Sequence, residues 1–209
     1  MRIPIARQGY PFIVPLGLLA GAFWALSMAR AAAVFGGLFL FVVYFFRDPE
    51  RTVPGDPKAV ISPADGKVVE IVAENDPFTG KKSQRISIFL SVFNVHVNRI
   101  PVAGRVEKIR YNHGKFLAAF NHKASLDNEQ NVLSVFNGRD RVAVKQIAGL
   151  IARRIVCWVR EGDAVAAGQR FGLIRFGSRV DIFVPEDARL AVALGDRVRG
   201  GSSVIGFLQ

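Results

Sequence analysis

The amino-acid sequence predicts a mainly β protein, a compact barrel-sandwich preceded by an apolar helical hairpin. Two patterns predict the β part: short runs of alternating apolar residues bounded by glycine turns, and a Gly-Asp turn motif that occurs twice. The hairpin is predicted by an N-terminal stretch, Tyr10 to Phe46, that contains a single charged residue. We therefore divide the 209-residue chain into a hairpin (1–46), a linker (47–60) and a β domain (61–209).

The apolar N-terminal stretch has two arms separated by Arg30. Tyr10 to Ala29 contains 20 residues, enough to cross a bilayer as a helix, whereas the 16 residues of Ala31 to Phe46 are marginal. The second arm follows the first at once, which disfavours a cleaved signal peptide. We therefore expect a retained membrane anchor. A re-entrant or interfacial hairpin is the alternative, because Arg30 lies at the tip and the second arm is short.

The charge balance indicates an anionic partner. The chain carries 28 Lys+Arg against 17 Asp+Glu, a formal charge of +11. A nucleic-acid binder would interleave exposed aromatics with its basic patch, whereas the 17 phenylalanines concentrate in the hairpin and the strands. We therefore expect an acidic membrane and no nucleic acid. Basic residues on both sides of the hairpin favour a cytoplasmic location for both ends: Arg2, Arg7, Arg47, Arg51 and Lys58.

The single cysteine excludes a disulfide within one chain. Cys157 lies in an apolar, strand-like run and is expected to be a small buried residue. Its isolation agrees with a catalytic domain on the cytoplasmic side of the cell membrane.

The β domain begins at an Asp-Gly turn. Pro54 and Pro57 keep the preceding chain extended, and Asp65–Gly66 separates two apolar runs. Lys67 to Val72 then reads as a strand. By spacing alone, Asp65 is a turn residue.

His96 is the histidine that the pattern places in a predicted strand-like segment with polar neighbours. Arg85 to Leu90 is predicted as a strand, and in the following segment Asn94, His96 and Asn98 alternate with apolar residues. This alternation predicts an extended segment with His96 on its polar face. The neighbouring asparagines are residue types that can orient an imidazole.

The other two histidines offer no metal site. His113 and His122 lie in or beside a short helix predicted around Phe116 to Ala124. No two histidines have a metal-ligand spacing together with a carboxylate or thiol, so no bound metal is expected.

A turn motif occurs once on each side of the dipeptide Gly177–Ser178. Gly162 to Gly168 recurs 33 residues later as Gly195 to Gly201, each reading Gly-Asp-x-Val-x-x-Gly. Such turns resemble those of biotinyl and lipoyl domains and predict a compact barrel-sandwich, into which Asp65–Gly66 and Ala103–Gly104 also fit. Gly177–Ser178 lies between the copies and interrupts a strand-like apolar run. Alone it would be a turn or bulge, and its position predicts that the sheet holds it.

Five segments occur in a specific order along the chain: the apolar hairpin, Phe45–Arg51, Ser62–Gly66, Asn94–Arg99 and Arg175–Arg179. Together they resemble the phosphatidylserine decarboxylase proenzymes of the short bacterial and archaeal type. The resemblance covers nearly the whole chain. Its specificity lies in the order and spacing of the segments rather than in any one of them.

The resemblance implies a self-processing enzyme with a covalent pyruvoyl cofactor. The precursor would be cleaved between Gly177 and Ser178, giving a β chain (1–177) and an α chain (178–209) as partners. The Ser178 hydroxyl attacks the Gly177 carbonyl to form an ester, and elimination and hydrolysis then convert the serine into the pyruvoyl group.

The resemblance also assigns the remaining site residues. His96 is the base that activates Ser178, Asp65 is the carboxylate that orients it, and Arg175 and Arg179 are candidates for the substrate phosphate. The implied carboxy-lyase reaction converts phosphatidylserine of an anionic membrane to phosphatidylethanolamine and CO2, through a Schiff base with the pyruvoyl group. Oligomeric state is left open, with a homo-oligomer among the alternatives.

The sequence departs from the longer branch of the family at two positions, with Arg99 in place of a second histidine and Arg179 in place of a threonine. His96 is the candidate proton donor for decarboxylation. Asn128–Asn131 is a further match to the family, in which Gln130 stands in place of an expected arginine. No role is carried over to the segment around Gln130.

Two other classes of protein share parts of this pattern. A membrane-tethered biotinyl or lipoyl carrier would have the same turns but should present a lysine between them, and Phe176–Ser178 contains none. A zinc peptidase of related β architecture would need paired histidines with an aspartate, which the sequence lacks.

Overall fold

The computed structural model describes residues 3–114, 128–149, 154–175 and 178–209. The helix predicted around Phe116 to Ala124, His122 and Gly177 lie outside the described residues. The chain forms two compact units, Met1–Glu50 and Arg51–Gln209.

The N-terminal unit is a helical hairpin, as the sequence predicts. A short 3-10 helix (Arg7–Gly9) leads into α1 (Tyr10–Ala25), and α2 (Ala29–Phe45) returns antiparallel to it. Phe23 and Phe35 stack between the helices with ring centroids 5.1 Å apart. Gly17 allows close approach, since a Cβ there would lie 3.2 Å from the Phe39 ring.

The first helix is shorter than the apolar segment from which it forms. The chain turns after Ala25, where Ser27 takes a left-handed conformation with φ of 57°, so α1 has 16 residues rather than the expected 20. The helix α2 has 17 residues. Within the described part of the chain, no helix combines the length and apolarity needed to cross a membrane.

The two ends of the hairpin are held together at its base. Ala6 N donates to Phe46 O at 2.8 Å and Asp48 N donates to Pro4 O at 2.7 Å. Phe45 and Phe46 are fully buried, and Gly9 packs directly on the Phe46 ring. The Phe-Phe-Arg-Asp segment therefore closes the N-terminal unit.

The described residues of the second unit form three antiparallel sheets. The largest is curled into a half-barrel with the strand order β13-β2-β3-β11-β7-β6-β5-β9, and the two smaller sheets are β4-β10-β8 and β1-β14-β12. The strands are β1 (Ala59–Ile61), β2 (Gly66–Asn75), β3 (Lys82–Leu90), β4 (Val97–Arg99), β5 (Gly104–Asn112), β6 (Gln130–Phe136), β7 (Arg141–Ala148), β8 (Ile155–Cys157), β9 (Ala164–Val165), β10 (Arg170–Ile174), β11 (Ser178–Pro185), β12 (Arg189–Leu190), β13 (Arg197–Val198) and β14 (Val204–Phe207).

The Gly-Asp repeat forms two equivalent turns. Gly162 and Gly195 have φ of 90° and 96°, a region that favours glycine. Asp163 Oδ2 accepts from the backbone N–H of Arg160 and Asp196 Oδ2 from that of Ala193, each at 2.8 Å. The carboxylates thus stabilise both turns in the same way.

Each turn leads into a short strand at an edge of the large sheet. The first copy pairs β9 with β5 at Gly104, and the second pairs β13 with β2 at Gly66. A Cβ at either glycine would lie 2.2 Å from a backbone carbonyl, that of Phe136 or Phe89. The two turns and the segments at Gly66 and Gly104 therefore meet in the large sheet, as predicted for one architecture.

Alternating residues of β11 separate the two faces of the large sheet. Val180, Ile182 and Val184 belong to the hydrophobic core, whereas Arg179 and Asp181 lie on the opposite face. Buried residues from all three sheets complete this core, including Ile86, Ile88, Leu133, Val144, Phe171, Ile174 and Ile205. The core thereby fixes the strands that carry the site.

Cys157 ends β8 and is half-buried rather than fully buried. Its thiol lies 3.6 Å from the Val159 carbonyl, and burial raises its pKa. A raised pKa disfavours the reactive thiolate, which agrees with the expected structural role.

Candidate active site

Ser178 is the first residue of a central strand. It lies on β11 between β3 and β7, directly opposite Leu90 and Ala148. Its side chain shares the core face with Val180 and is fully buried. Among the described residues, no group makes a hydrogen bond with Ser178 Oγ. A buried hydroxyl without such a bond costs free energy and therefore calls for a functional explanation.

His96 precedes β4, in the small sheet that leads into Ser178. Ile174 N donates to the His96 carbonyl at 3.3 Å, and Ser178 follows Ile174 by four residues. The histidine is fully buried. Its Nδ1 lies 3.0 Å from the backbone carbonyl of Asn94, which can only accept. Neutral His96 therefore carries its proton on Nδ1, so Nε2 is the acceptor nitrogen that a general base requires.

A tight turn links His96 to Leu90, the residue of β3 that pairs with Ser178. Leu90 ends β3 opposite Ser178, and the next residues fold back through Ser91 to Asn94. Asn94 Oδ1 accepts from Ser91 N at 2.9 Å and from Ser91 Oγ at 2.8 Å. The chain on both sides of His96 is thus tied to the start of β11.

The predicted extended segment is therefore wrong at its beginning. Asn94 closes the turn with its side chain, and only Val97 to Arg99 form a strand. The predicted polar face is also buried, since His96 and Asn98 are both fully inaccessible. The polar side of this segment faces the interior because another sheet packs against it.

Asp65 lies beside β4. The Arg99 N–H donates to the Pro63 carbonyl at 2.9 Å, which holds the Asp65 turn next to that strand. Asp65 Oδ2 accepts from Arg51 Nη2 at 2.8 Å, and Oδ1 accepts from Gly200 N at 2.7 Å. The structure thus adds Arg51, a residue of the linker (47–60), to the surroundings of Asp65, a pairing that the sequence did not suggest. The role of Asp65 in orienting His96 stays a prediction.

The two candidate phosphate ligands have opposite surroundings. Arg179 is buried and forms a two-contact ion pair with Asp181, at 2.9 and 3.0 Å. Arg175 instead lies opposite Arg154, and its backbone N–H donates to the Arg154 carbonyl at 3.3 Å. Burial, and then the charge of Arg154, lower the pKa of Arg175. Like charges placed opposite each other repel, and a bound anion would relieve that repulsion.

Asn128 and Glu129 hold the strand that flanks Ser178. Asn128 Nδ2 donates to the Ala148 carbonyl at 2.6 Å, and Ala148 N donates to the Glu129 carbonyl at 3.0 Å. The buried Glu129 Oε1 also accepts from Ile155 N at 3.0 Å and from the Tyr111 hydroxyl. Burial and this carboxylate raise the pKa of Tyr111 to about 12. The match of Asn128–Asn131 to the family was the sequence signal that could have indicated this supporting role, but no role was assigned to it.

Comparison with known proteins identifies the family. The sequence profile described as phosphatidylserine decarboxylase matches residues 38–206. A protein of Chlorobium phaeobacteroides is 51% identical over 195 residues, covering 92% of each chain. One of Geotalea uraniireducens is 46% identical over 206 residues, covering 98% of this chain and 97% of its own.

A third relative, from Cupriavidus metallidurans, is 44% identical over 213 residues, covering 98% of this chain and 95% of its own. All three bear the name phosphatidylserine decarboxylase proenzyme. The matched region contains Asp65, His96 and Ser178, the residues around which the site is built. The chain therefore belongs to the phosphatidylserine decarboxylase family.

Proposed function

We propose that this protein is a self-processing decarboxylase that converts phosphatidylserine to phosphatidylethanolamine and CO2. The observation that carries the proposal is the buried Ser178 at the start of a central strand, without a hydrogen bond to Oγ from any described residue. The chain before His96 leads back to Leu90, the strand partner of Ser178, and the His96 carbonyl accepts from Ile174 N on the strand before Ser178. A nucleophile and a base held together by rigid strands are the minimal requirement for processing.

The processing reaction uses atoms of the chain alone. Ser178 Oγ attacks the Gly177 carbonyl carbon and passes its proton to His96 Nε2. The C–N bond then breaks, the amine takes up a proton, and an ester between the two residues remains. Gly177 lies outside the described residues, so its part follows from residue type: glycine leaves the carbonyl uncrowded.

Elimination completes the cleavage. Loss of the Ser178 Cα proton breaks the Cβ–Oγ bond, releases the Gly177 carboxylate and leaves dehydroalanine. Water then replaces nitrogen as ammonia, which gives a pyruvoyl group at the start of residues 178–209. Ser178 fits this role because elimination needs a heteroatom on Cβ, and its buried site excludes competing bulk water.

A pyruvoyl group, once formed, supplies a ketone that condenses with an amine and an acceptor for the electrons that CO2 leaves behind. The chain's own residues would bind the substrate and move protons. His96 Nε2 is the candidate to return a proton to the carbon that loses CO2, since His96 is bound to β10, the strand that precedes Ser178.

Arg175, together with Arg154, is the better candidate for the substrate phosphate. Arg179 is already paired with Asp181, whereas Arg175, three residues before Ser178, lies opposite a second cationic residue, Arg154. A phosphodiester beside this pair would leave the amine of the headgroup free to approach residue 178.

The hairpin is proposed as the membrane attachment at the cell membrane, with the β domain on the cytoplasmic side. Its helices expose large apolar side chains, including Leu18 at 70%, Trp24 at 76% and Leu40 at 65%. Such a surface is unfavourable in water and favourable in lipid.

Intact-mass analysis of the purified protein tests the proposal. We expect the wild type to consist of residues 1–177 and residues 178–209, the latter with a pyruvoyl terminus. Ser178→Ala should remain one chain and be inactive, and His96→Ala should slow cleavage, because each lacks one partner of the proton transfer.

Ser134→Ala is the matched control for this experiment. Ser134 is also a buried serine whose Oγ has no hydrogen bond among the described residues, yet it lies on β6, so the variant should be cleaved normally. An uncleaved wild type, or cleavage of Ser178→Ala, would refute the proposal.

A further inference from the structure

Three buried amide side chains form a bridge between the two sheets that carry the site. Gln146 Nε2 donates to Asn98 Oδ1 at 2.7 Å, and Asn131 Nδ2 donates to Gln146 Oε1 at 2.9 Å. All three side chains are at most 1% exposed. Buried amides are costly unless they bond to each other, so Gln146, in the middle, holds this bridge together.

The bridge joins strands that no backbone ladder connects among the described residues. Asn98 is on β4 in the three-stranded sheet, whereas Gln146 and Asn131 are neighbours on β7 and β6 of the eight-stranded sheet. Apolar packing between sheets is non-directional and tolerates sliding. A short amide–amide hydrogen bond fixes distance and register at one point.

Both ends of this bond lead directly to the catalytic pair. Asn98 lies on β4, two residues after His96, which directly precedes that strand. Gln146 and Ala148 are likewise two residues apart on β7, and Ala148 is the strand partner of Ser178. The position of the Asn98–Gln146 bond therefore sets how the base-bearing segment lies against the nucleophile-bearing sheet.

Gly172 provides the space for the bridge. It is the β10 partner of Asn98, and a Cβ added there would lie 2.9 Å from Gln146 Nε2 and 2.4 Å from the Val156 carbonyl. Any larger residue would push the Gln146 amide away from Asn98. The bridge thus depends on a position where a side chain cannot be accommodated.

We propose that Gln146 is a positioning residue for self-processing, acting through Asn98 to hold the His96 segment in register with the Ser178 strand. This inference rests on the proposed function, because it assumes cleavage at Ser178. Gln146 touches no reacting atom in this account. Its loss should change the geometry of proton transfer more than the stability of the fold.

The test compares Gln146→Leu with Gln84→Leu in the full-length protein. Gln84 is the control, since its side chain also makes two hydrogen bonds, both donated by Nε2 to the carbonyls of Glu186 and Ala188, at the far end of β11. We expect Gln146→Leu to be processed about tenfold more slowly than wild type by intact mass, and Gln84→Leu at the wild-type rate.

Conservative substitution at Asn98 gives a second, independent comparison. Asn98→Asp keeps an acceptor for Gln146 Nε2 and should be processed faster than Asn98→Leu, which has none. The pair also replaces the first comparison if Gln146→Leu does not fold. Equal rates for Asn98→Asp and Asn98→Leu would overturn the inference.

A readout without cleavage separates this inference from the proposed function. In a Ser178→Ala background, Gln146→Leu should increase hydrogen exchange at the β4 amides, whereas Gln84→Leu should not. An uncleaved wild type would defeat the proposed function. A cleaved wild type with equally rapid cleavage of Gln146→Leu would defeat only the positioning role.

Discussion

At the scale of single residues, the proton on His96 is set by a backbone carbonyl. Nδ1 faces the Asn94 carbonyl at 3.0 Å, inside a turn that the Asn94 side chain itself closes. Asn94 therefore builds the turn and fixes the tautomer at once. The Asn94 carbonyl therefore holds one nitrogen of the ring, while the orienting role that the family resemblance assigns to Asp65 stays a prediction.

Asp65→Asn and Arg51→Gln together test the remaining role of Asp65. The two side chains form a mostly buried ion pair at 2.8 Å, so either substitution should destabilise the fold by about 1–3 kcal/mol. If Asp65 also orients the base, only Asp65→Asn should slow processing beyond that shared loss. Denaturant unfolding and intact-mass time courses measure the two effects.

Equal processing rates in these two variants would assign Asp65 a structural role alone. In that case its contacts with Arg51 and Gly200 would be its whole contribution.

At the scale of secondary-structure elements, the sequence pattern predicted those strands and turns that depend on neighbouring residues alone. The strand runs and the paired Gly-Asp turns follow from apolar alternation and glycine positions. The burial of Asn98 does not, because alternation separates two faces without saying which one another sheet covers. The pairings of Arg51 with Asp65 and of Gln146 with Asn98 were missed for a different reason, because each joins residues that are separated in sequence.

Element lengths were the other source of error. The apolar run from Tyr10 to Ala29 is continuous in sequence, yet the turn after Ala25 uses its last residues to reverse the chain. Composition marks where a chain is apolar, whereas the ends of helices depend on where the chain can turn.

Gly172→Ala should weaken the small sheet. The new methyl group would lie 2.4 Å from the Val156 carbonyl, so β8 and β10 must separate, which should cost about 1–3 kcal/mol of unfolding free energy. Gly55→Ala is the control, since a Cβ at Gly55 meets nothing within 4 Å. Denaturant unfolding of both variants gives the comparison, and similar midpoints would contradict the close packing at Gly172.

At the scale of the whole molecule, the proposed attachment to lipid would combine an apolar hairpin with a basic chain. The formal charge of +11 adds a long-range attraction to anionic surfaces, while the exposed side chains of α1 and α2 add short-range burial. The two contributions respond differently to salt, because only the first is screened.

Co-sedimentation with vesicles containing phosphatidylserine should separate these contributions. We expect Leu18→Glu with Leu40→Glu to weaken binding at any salt concentration, because both leucines are exposed on the hairpin. Leu194→Glu, at a leucine 68% exposed in the β domain, should have a much smaller effect. Equal losses in both proteins would exclude the hairpin as the attachment.

The central position of β11 has a consequence for the life of the processed protein. Residues 178–209 contain β11, held between β3 and β7, and also β13 and β14, which pair with β2 and β1. A cut before Ser178 would therefore leave the severed piece locked in place by ladders on several sides. Unfolding, however, would release it, so recovery would become a second-order encounter that slows on dilution. Unfolding of the cleaved protein would then be effectively irreversible at low concentration, and its lifetime would be set by the rate of unfolding.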